Sequence, residues 1–157
     1  GAVDELPQRV ERLQHELREA HKEIEALTRK LARADFQTLL NNVVDIDGVP
    51  VLAARVDVPD ADTLREMADW FRDKMQGGVI VLGTVIDDKP LLIAATTKAL
   101  IQERGIHAGN LVRDLARVVG GGGGGRPDMA QAGGRDASKL SEALDKVPAL
   151  LRAMLAQ

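Results

Sequence analysis

The 157-residue chain has no cysteine, so disulfides and thiolate metal sites are excluded and a reducing compartment is the simplest setting. Aromatic residues are nearly missing: Phe36, Trp70 and Phe71 are the only ones. That scarcity argues against a surface on which successive bases stack on rings. Serine occurs only at Ser138 and Ser141, neither of them in a Gly-x-Ser-x-Gly elbow, and both fit helix caps. The nucleotide-binding pattern Gly-x-x-x-x-Gly-Lys-Ser/Thr is absent, and so are His-Glu-x-x-His and any Asp and His cluster at metal spacing. No candidate catalytic constellation remains. No apolar run is long enough to span a membrane, and nothing resembles a signal peptide. The opening Gly-Ala-Val has no initiator Met, as expected of a piece of something larger.

Hydrophobic residues make up 45% of the chain, enough to bury a core in one domain with an extension. The net charge of −3 is unevenly spread. Residues 1–46 and 47–97 are net acidic, at −2 and −4, whereas residues 98–139 hold seven basic and four acidic side chains, net +3.

The basic segment contains six consecutive glycines: Gly120, Gly121, Gly122, Gly123, Gly124 and Gly125, followed by Arg126. Glycine offers nothing to bury and loses the most freedom on folding, so no core strand or helix is expected from the run. It serves either a sharp turn or the close approach of a ligand to bare amides, and phosphate is the usual ligand of that kind. A flexible linker is the competing reading. Serine, the usual linker companion, is absent from the run, and an apolar-periodic segment (Leu111, Val112, Leu115, Ala116, Val118, Val119) leads straight into it. On that segment, read as a helix from Asn110 to Val119, Asn110, Arg113 and Arg117 fall on the opposite face, with Asp114 placed to pair with an arginine. With Arg126, and with Lys98 and His107 flanking, they form a candidate polyanion surface.

Residues 3–34 carry a heptad repeat. Val3, Val10, Leu17, Ile24 and Leu31 recur every seven residues, as do Leu6, Leu13, Ala20, Leu27 and Ala34, offset by three. The pattern predicts a helix with a coiled-coil seam, and a possible homodimer through residues 3–34. His15 and His21 lie on different faces of it and read as solvated side chains. Phe36, Leu39, Leu40, Val43 and Val44 leave the seam and are expected to dock the helix end on a globular body. Beyond Asp47-Gly48 the chain reads as strand Val49–Val58, a helix opened by Asp60 or Asp62, strand Val79–Ile86, a turn at Asp87-Asp88-Lys89-Pro90, strand Leu91–Thr97 and two short helices. A helix through Leu140, Leu144 and Val147 and a last one after Pro148 close the chain. The expected class is α+β: a long coiled-coil helix (1–45), then a small globular domain (46–157) with a mixed sheet covered by helices.

Four stretches carry a family resemblance: Val79-Ile80-Val81-Leu82-Gly83-Thr84-Val85, Lys89 to Ala95, Ala108 to Arg113, and Gly120 to Gly134 ending Arg126-Pro127-Asp128-Met129-Ala130-Gln131-Ala132-Gly133-Gly134. Over about residues 49–155 the chain resembles the C-terminal domain of bacterial alanyl-tRNA synthetases, with the heptad helix resembling the linker from the editing domain. The resemblance implies a cytoplasmic, non-catalytic module that binds the tRNA elbow through shape and backbone contacts, and couples aminoacylation to editing by the catalytic and editing domains of the parent. It implies no cofactor here; ATP, Mg and Zn belong to the parent. The same fold accompanies DHH-type phosphodiesterases, whose substrate-holding half is the alternative, beside a plain coiled-coil dimerisation module. Those relatives usually show Gly-Gly-His-x-x-Ala-Ala-Gly. Here Arg126 stands where the His is expected, which favours the synthetase.

Overall fold

The computed structural model describes residues 2–75 and 77–156, and in the first helix the side chains of residues 5–30 and 38–40. The side chains of Val3, Leu31, Ala34 and Phe36, to which the heptad and docking readings gave roles, lie outside the described residues. The first helix, α1 (Ala2–Leu40), is about 58 Å long at 1.5 Å per residue, with Pro7 in its second turn. Its a and d side chains Leu6, Val10, Leu13, Leu17, Ile24 and Leu27 are 49% to 64% exposed, so the globular part leaves these described seam positions uncovered.

Leu39, Leu40 and Val43 do pack on the body, but Val44 does not end the helix. Val44–Ile46 forms strand β1, whose first residue is exposed. It pairs antiparallel with β2 (Val49–Arg55) across Asp47-Gly48, both at positive φ (51° and 88°). Such a two-residue turn matches the twist of a hairpin. Strand β2 stops at Arg55 rather than Val58: the Val56 amide still donates to the Gly83 carbonyl at 2.9 Å, and Pro59 then lacks a donor.

Helix α2 (Ala61–Met75) opens on Asp60, whose Oδ1 accepts the Thr63 amide at 2.7 Å. Strands β3 (Val79–Ile86) and β4 (Lys89–Ala95) form a tight hairpin. Asp87 and Asp88 both take positive φ (52° and 62°), so two residues suffice for the turn and β4 begins at Lys89, two residues earlier than expected. Helices α3 (Lys98–Arg104) and α4 (Ala108–Val118) follow.

The glycine run then departs from the sequence reading. Gly122–Gly125 is a strand, β5, and it returns through β6 (Met129–Gly133). The sheet order is β1-β2-β3-β4-β6-β5, parallel only between β2 and β3, which places the glycine strand at an edge. Helices α5 (Leu140–Asp145) and α6 (Val147–Leu155) finish the chain. Val147 opens α6 instead of closing the previous helix, because Pro148 fits the first turn. Asp136, not a serine, caps the segment before α5, accepting the Ser138 amide at 3.1 Å.

Period-two alternation sorts the strands onto two faces. Val79, Val81, Leu92, Ala94, Ala130 and Ala132 face α4, α5 and α6; Leu52, Ile80, Leu82, Ile93 and Ala95 face α2 and the end of α1. Helices on both sides of a mixed sheet, preceded by a long helix, realise the expected α+β class.

The Thr63 amide, and then the Thr63 hydroxyl, hold the Asp60 carboxyl below its ordinary value. A carboxylate with a folded pKa below its unfolded one stabilises above the ordinary range, and this is lost as pH falls through the depressed value. Asp60→Ala should therefore cost about 1 kcal/mol at pH 7. The gap to the parent chain should narrow as pH falls below the ordinary carboxylate value of about 4, as urea unfolding at pH 7 and pH 3 would show.

Candidate nucleic-acid interface

Helix α4 is built to present one charged face. Its apolar side, Leu111, Val112, Leu115 and Ala116, is fully buried against the sheet. At its start His107 takes the cap position, and its Nδ1 accepts the Asn110 amide at 3.1 Å. On the outer side Asn110, Arg113 and Arg117 are exposed together. With Asp114 they form one wall of a groove whose other wall is Leu150, Ala153 and Met154 of α6. Arg117 lies 3.9 Å from Asp114 with both side chains well exposed, a pairing worth little in water. Arg113 makes no ion pair or hydrogen bond among the described residues.

The helix passes into the glycine strand through a paired terminal bond. Gly120 sits at φ 72°, its amide donating to the Arg117 carbonyl at 3.3 Å, while the Gly121 amide reaches the Ala116 carbonyl at 2.9 Å. These two bonds satisfy carbonyls that the helix end would otherwise leave open.

Packing requires glycine at alternate positions of the run and not at the others. A β-carbon on Gly121 would run into the Gly133 carbonyl oxygen. One on Gly123 would lie 2.5 Å from the Ala132 Cα, and one on Gly125 2.9 Å from the Ala130 Cα. At Gly122 nothing lies within 4 Å. At Gly124 the one neighbour is the Arg113 guanidinium, 3.8 Å away. Gly122 thus leaves bare backbone facing open space, and half-buried Gly124 faces the Arg113 guanidinium. Gly109 of α4 completes the junction: a β-carbon there would stand 2.6 Å from the Gly125 carbonyl oxygen.

The remaining candidates fall elsewhere. Arg126 is exposed at the hairpin loop, its Nε 3.5 Å from Asp128 Oδ1. Asp128 Oδ2 also lies 3.7 Å from Arg72, which pairs with Asp69 at 2.7 Å. Lys98 lines a cleft with Arg72, Asp73, Thr96, Thr97 and Asp128. The structure therefore gathers Asn110, Arg113, Arg117 and the glycine strand at one place, and Lys98 and Arg126 about Asp128 at another. The two are tied by the Ala108 amide, which donates to the Pro127 carbonyl at 2.9 Å. His107 is committed to its cap. Two cations near the hairpin escaped the sequence reading: Arg72, and Arg65, whose Nη2 donates to Gln131 Oε1 at 3.1 Å. Both belong to a net acidic segment, and their partners at the hairpin, Asp128 and Gln131, are more than fifty residues away. Among the described residues no three His, Cys, Asp or Glu side chains converge so as to hold a metal ion, and no helix is long and apolar enough to cross a membrane.

The family profile described as "DHHA1 domain" matches residues 48–153. The chain belongs to the DHHA1 domain family. Among curated proteins it is 52% identical over 145 residues to the alanine–tRNA ligase of Desulforamulus reducens, covering 92% of this chain and 16% of the ligase. It is 49% identical over 149 residues to that of a Roseiflexus species, covering 95% and 16%. The chain thus spans about one sixth of the length of these relatives. Among solved structures, the C-Ala domain from Aquifex aeolicus alanyl-tRNA synthetase superposes with a TM-score of 0.62 at 25% identity, covering 73% of this chain and 98% of that domain. The resemblance to the synthetase C-terminal domain is thereby established.

The alternation of required and free glycines has a direct readout. Gly123→Ala should lower unfolding free energy by about 1–3 kcal/mol, the usual cost of forcing a methyl group into filled space. Gly122→Ala, with open space beside it, should stay within about 1 kcal/mol of the parent or gain from a less flexible unfolded chain. Urea unfolding of the two variants side by side makes the comparison.

Proposed function

We propose that this chain is the segment of an alanine–tRNA ligase that binds the tRNA elbow. There it holds one tRNA while the parent's aminoacylation and editing domains act on it. The supporting observation is the bare backbone at Gly122 and Gly124. No clash accounts for glycine at these two positions, and Gly124 lies beside the exposed Arg113 guanidinium of α4. A bent phosphate backbone can approach such a strand closely, and an arginine fork reaches two phosphate oxygens at once. The strand carries no side chain to read a base edge, so recognition is by shape and backbone. Arg126 and Lys98 extend the charged margin. The reading places the parent in the cytoplasm and assigns its ATP, Mg and Zn to other segments. The alternative, the substrate-holding half of a DHH phosphodiesterase, draws on domain family alone, whereas the ligase reading also has relatives about half identical.

Gel shifts with several tRNA species at varied salt would test the site. Arg113→Ala with Arg117→Ala should weaken binding to all of them alike, and each lost phosphate contact should lower the log–log salt slope by about one. Gly122→Val should weaken binding while leaving the fold intact by circular dichroism. Lys22→Ala, on α1, serves as the control. Unchanged affinity of the double arginine variant at physiological salt would remove the proposed surface.

The uncovered seam of α1 supports a second assignment, self-association through residues 3–34. A stripe of this length exposes more apolar surface than a monomer ordinarily leaves in water. Sedimentation of the chain should show concentration-dependent association, and Leu13→Glu with Leu17→Glu should leave a folded monomer.

A further inference from the structure

Resting on the tRNA-binding reading, we infer that Asp128 is a positioning residue of the site, holding Arg126 in the direction from which it meets a backbone phosphate. Charged side chains of alternating sign run from α2 to the tip of the β5–β6 hairpin. Asp69 pairs with Arg72 at 2.7 Å, Arg72 lies 3.7 Å from Asp128 Oδ2, and Asp128 Oδ1 lies 3.5 Å from Arg126 Nε. The Arg72 and Asp128 side chains are 27% and 29% exposed, whereas that of Arg126 is 76% exposed. The backbone around Asp128 is pinned as well. Its carbonyl accepts the Thr96 amide at 2.9 Å, the Pro127 carbonyl accepts the Ala108 amide at 2.9 Å, and the Arg126 amide donates to the Met129 carbonyl at 3.1 Å. Pro127 between the two charged residues fixes one more dihedral. A fixed carboxylate therefore meets a guanidinium that projects into solvent. A pair so exposed adds little stability, and its consequence is direction. Arginine carries its N–H donors in a rigid fork. A contact at Nε leaves the two Nη groups at the end of that fork for two phosphate oxygens. Holding a long side chain in its bound geometry lowers the ordering cost that binding otherwise meets.

The sign of one substitution tests this role. As a bare charge Asp128 repels a polyanion, so Asp128→Asn should then tighten binding of the full chain to an unmodified tRNA transcript. As a positioning residue it should do the opposite. Asp128→Asn is expected to weaken binding severalfold and to lower the log–log salt slope by up to about one, the share of a single phosphate contact. Arg126→Ala should weaken binding by a similar factor. In the Arg126→Ala background no guanidinium is left to direct, and Asp128→Asn should leave affinity unchanged or raise it. Tighter or unchanged binding by Asp128→Asn in the parent chain would overturn the inference. Equal losses in both backgrounds would overturn it too, since a damaged fold or a direct contact of Asp128 with RNA acts without Arg126. Arg113→Ala with Arg117→Ala separates the two levels. If that pair weakens binding while Asp128→Asn does not, the positioning role alone fails. If the parent chain binds no tRNA, the tRNA-binding reading fails with it.

Discussion

The fold turns on the contact between α4 and an edge strand that has no side chains. An ordinary strand against this helix would need a layer of side chains between them. Glycine at positions 121, 123 and 125 lets the hairpin backbone close on β6, and Gly109 lets the Gly125 carbonyl approach the first turn of the helix. The Schellman-type bonds at Gly120 and Gly121 complete the join without a connecting loop. Helix, turn and strand therefore form one continuous ridge, and the arginines of α4 are fixed relative to bare backbone that follows them directly in sequence.

This geometry accounts for the distribution of charge. The acidic first two-thirds of the chain supply the long helix, α2 and most of the sheet, while the basic third supplies the ridge. Arg113 and Arg117 stay exposed because the buried side of α4 is wholly apolar. The cations around Asp128 behave differently, since Arg72 and Arg126 share one carboxylate and are partly neutralised by it. Of the two groups, that on α4 presents the less compensated positive charge.

Much of this was legible in the sequence because the signals were periodic. Alternation marked β3 and β4, helical spacing marked α2 and α4, and the heptad marked α1. The α4 face was readable too, since Asn110, Arg113 and Arg117 share a helix side whatever the tertiary fold. Strands β5 and β6 were hidden for a physical reason. Glycine and alanine carry no strand preference, and their pairing is imposed by the neighbouring edge of β4. The short strand β1 was hidden because its valines also continued the apolar pattern of the helix end. Arg65 and Arg72 could not be placed, because only the folded sheet brings them to the hairpin, and Lys98 and His107 went elsewhere because local caps and clefts claimed them.

An edge strand ordinarily guards itself against growth into neighbouring sheets with charged or bulky residues of its own. Strand β5 has none, and its outer backbone groups would accept any extended chain, another copy of itself included. Its guard is borrowed. The Arg113 guanidinium lies beside Gly124, and two such edges brought together would set this charge near its own copy, which opposes their pairing. The positive charge along this ridge is therefore also a solubility device, strongest at low ionic strength and weakened as salt screens it.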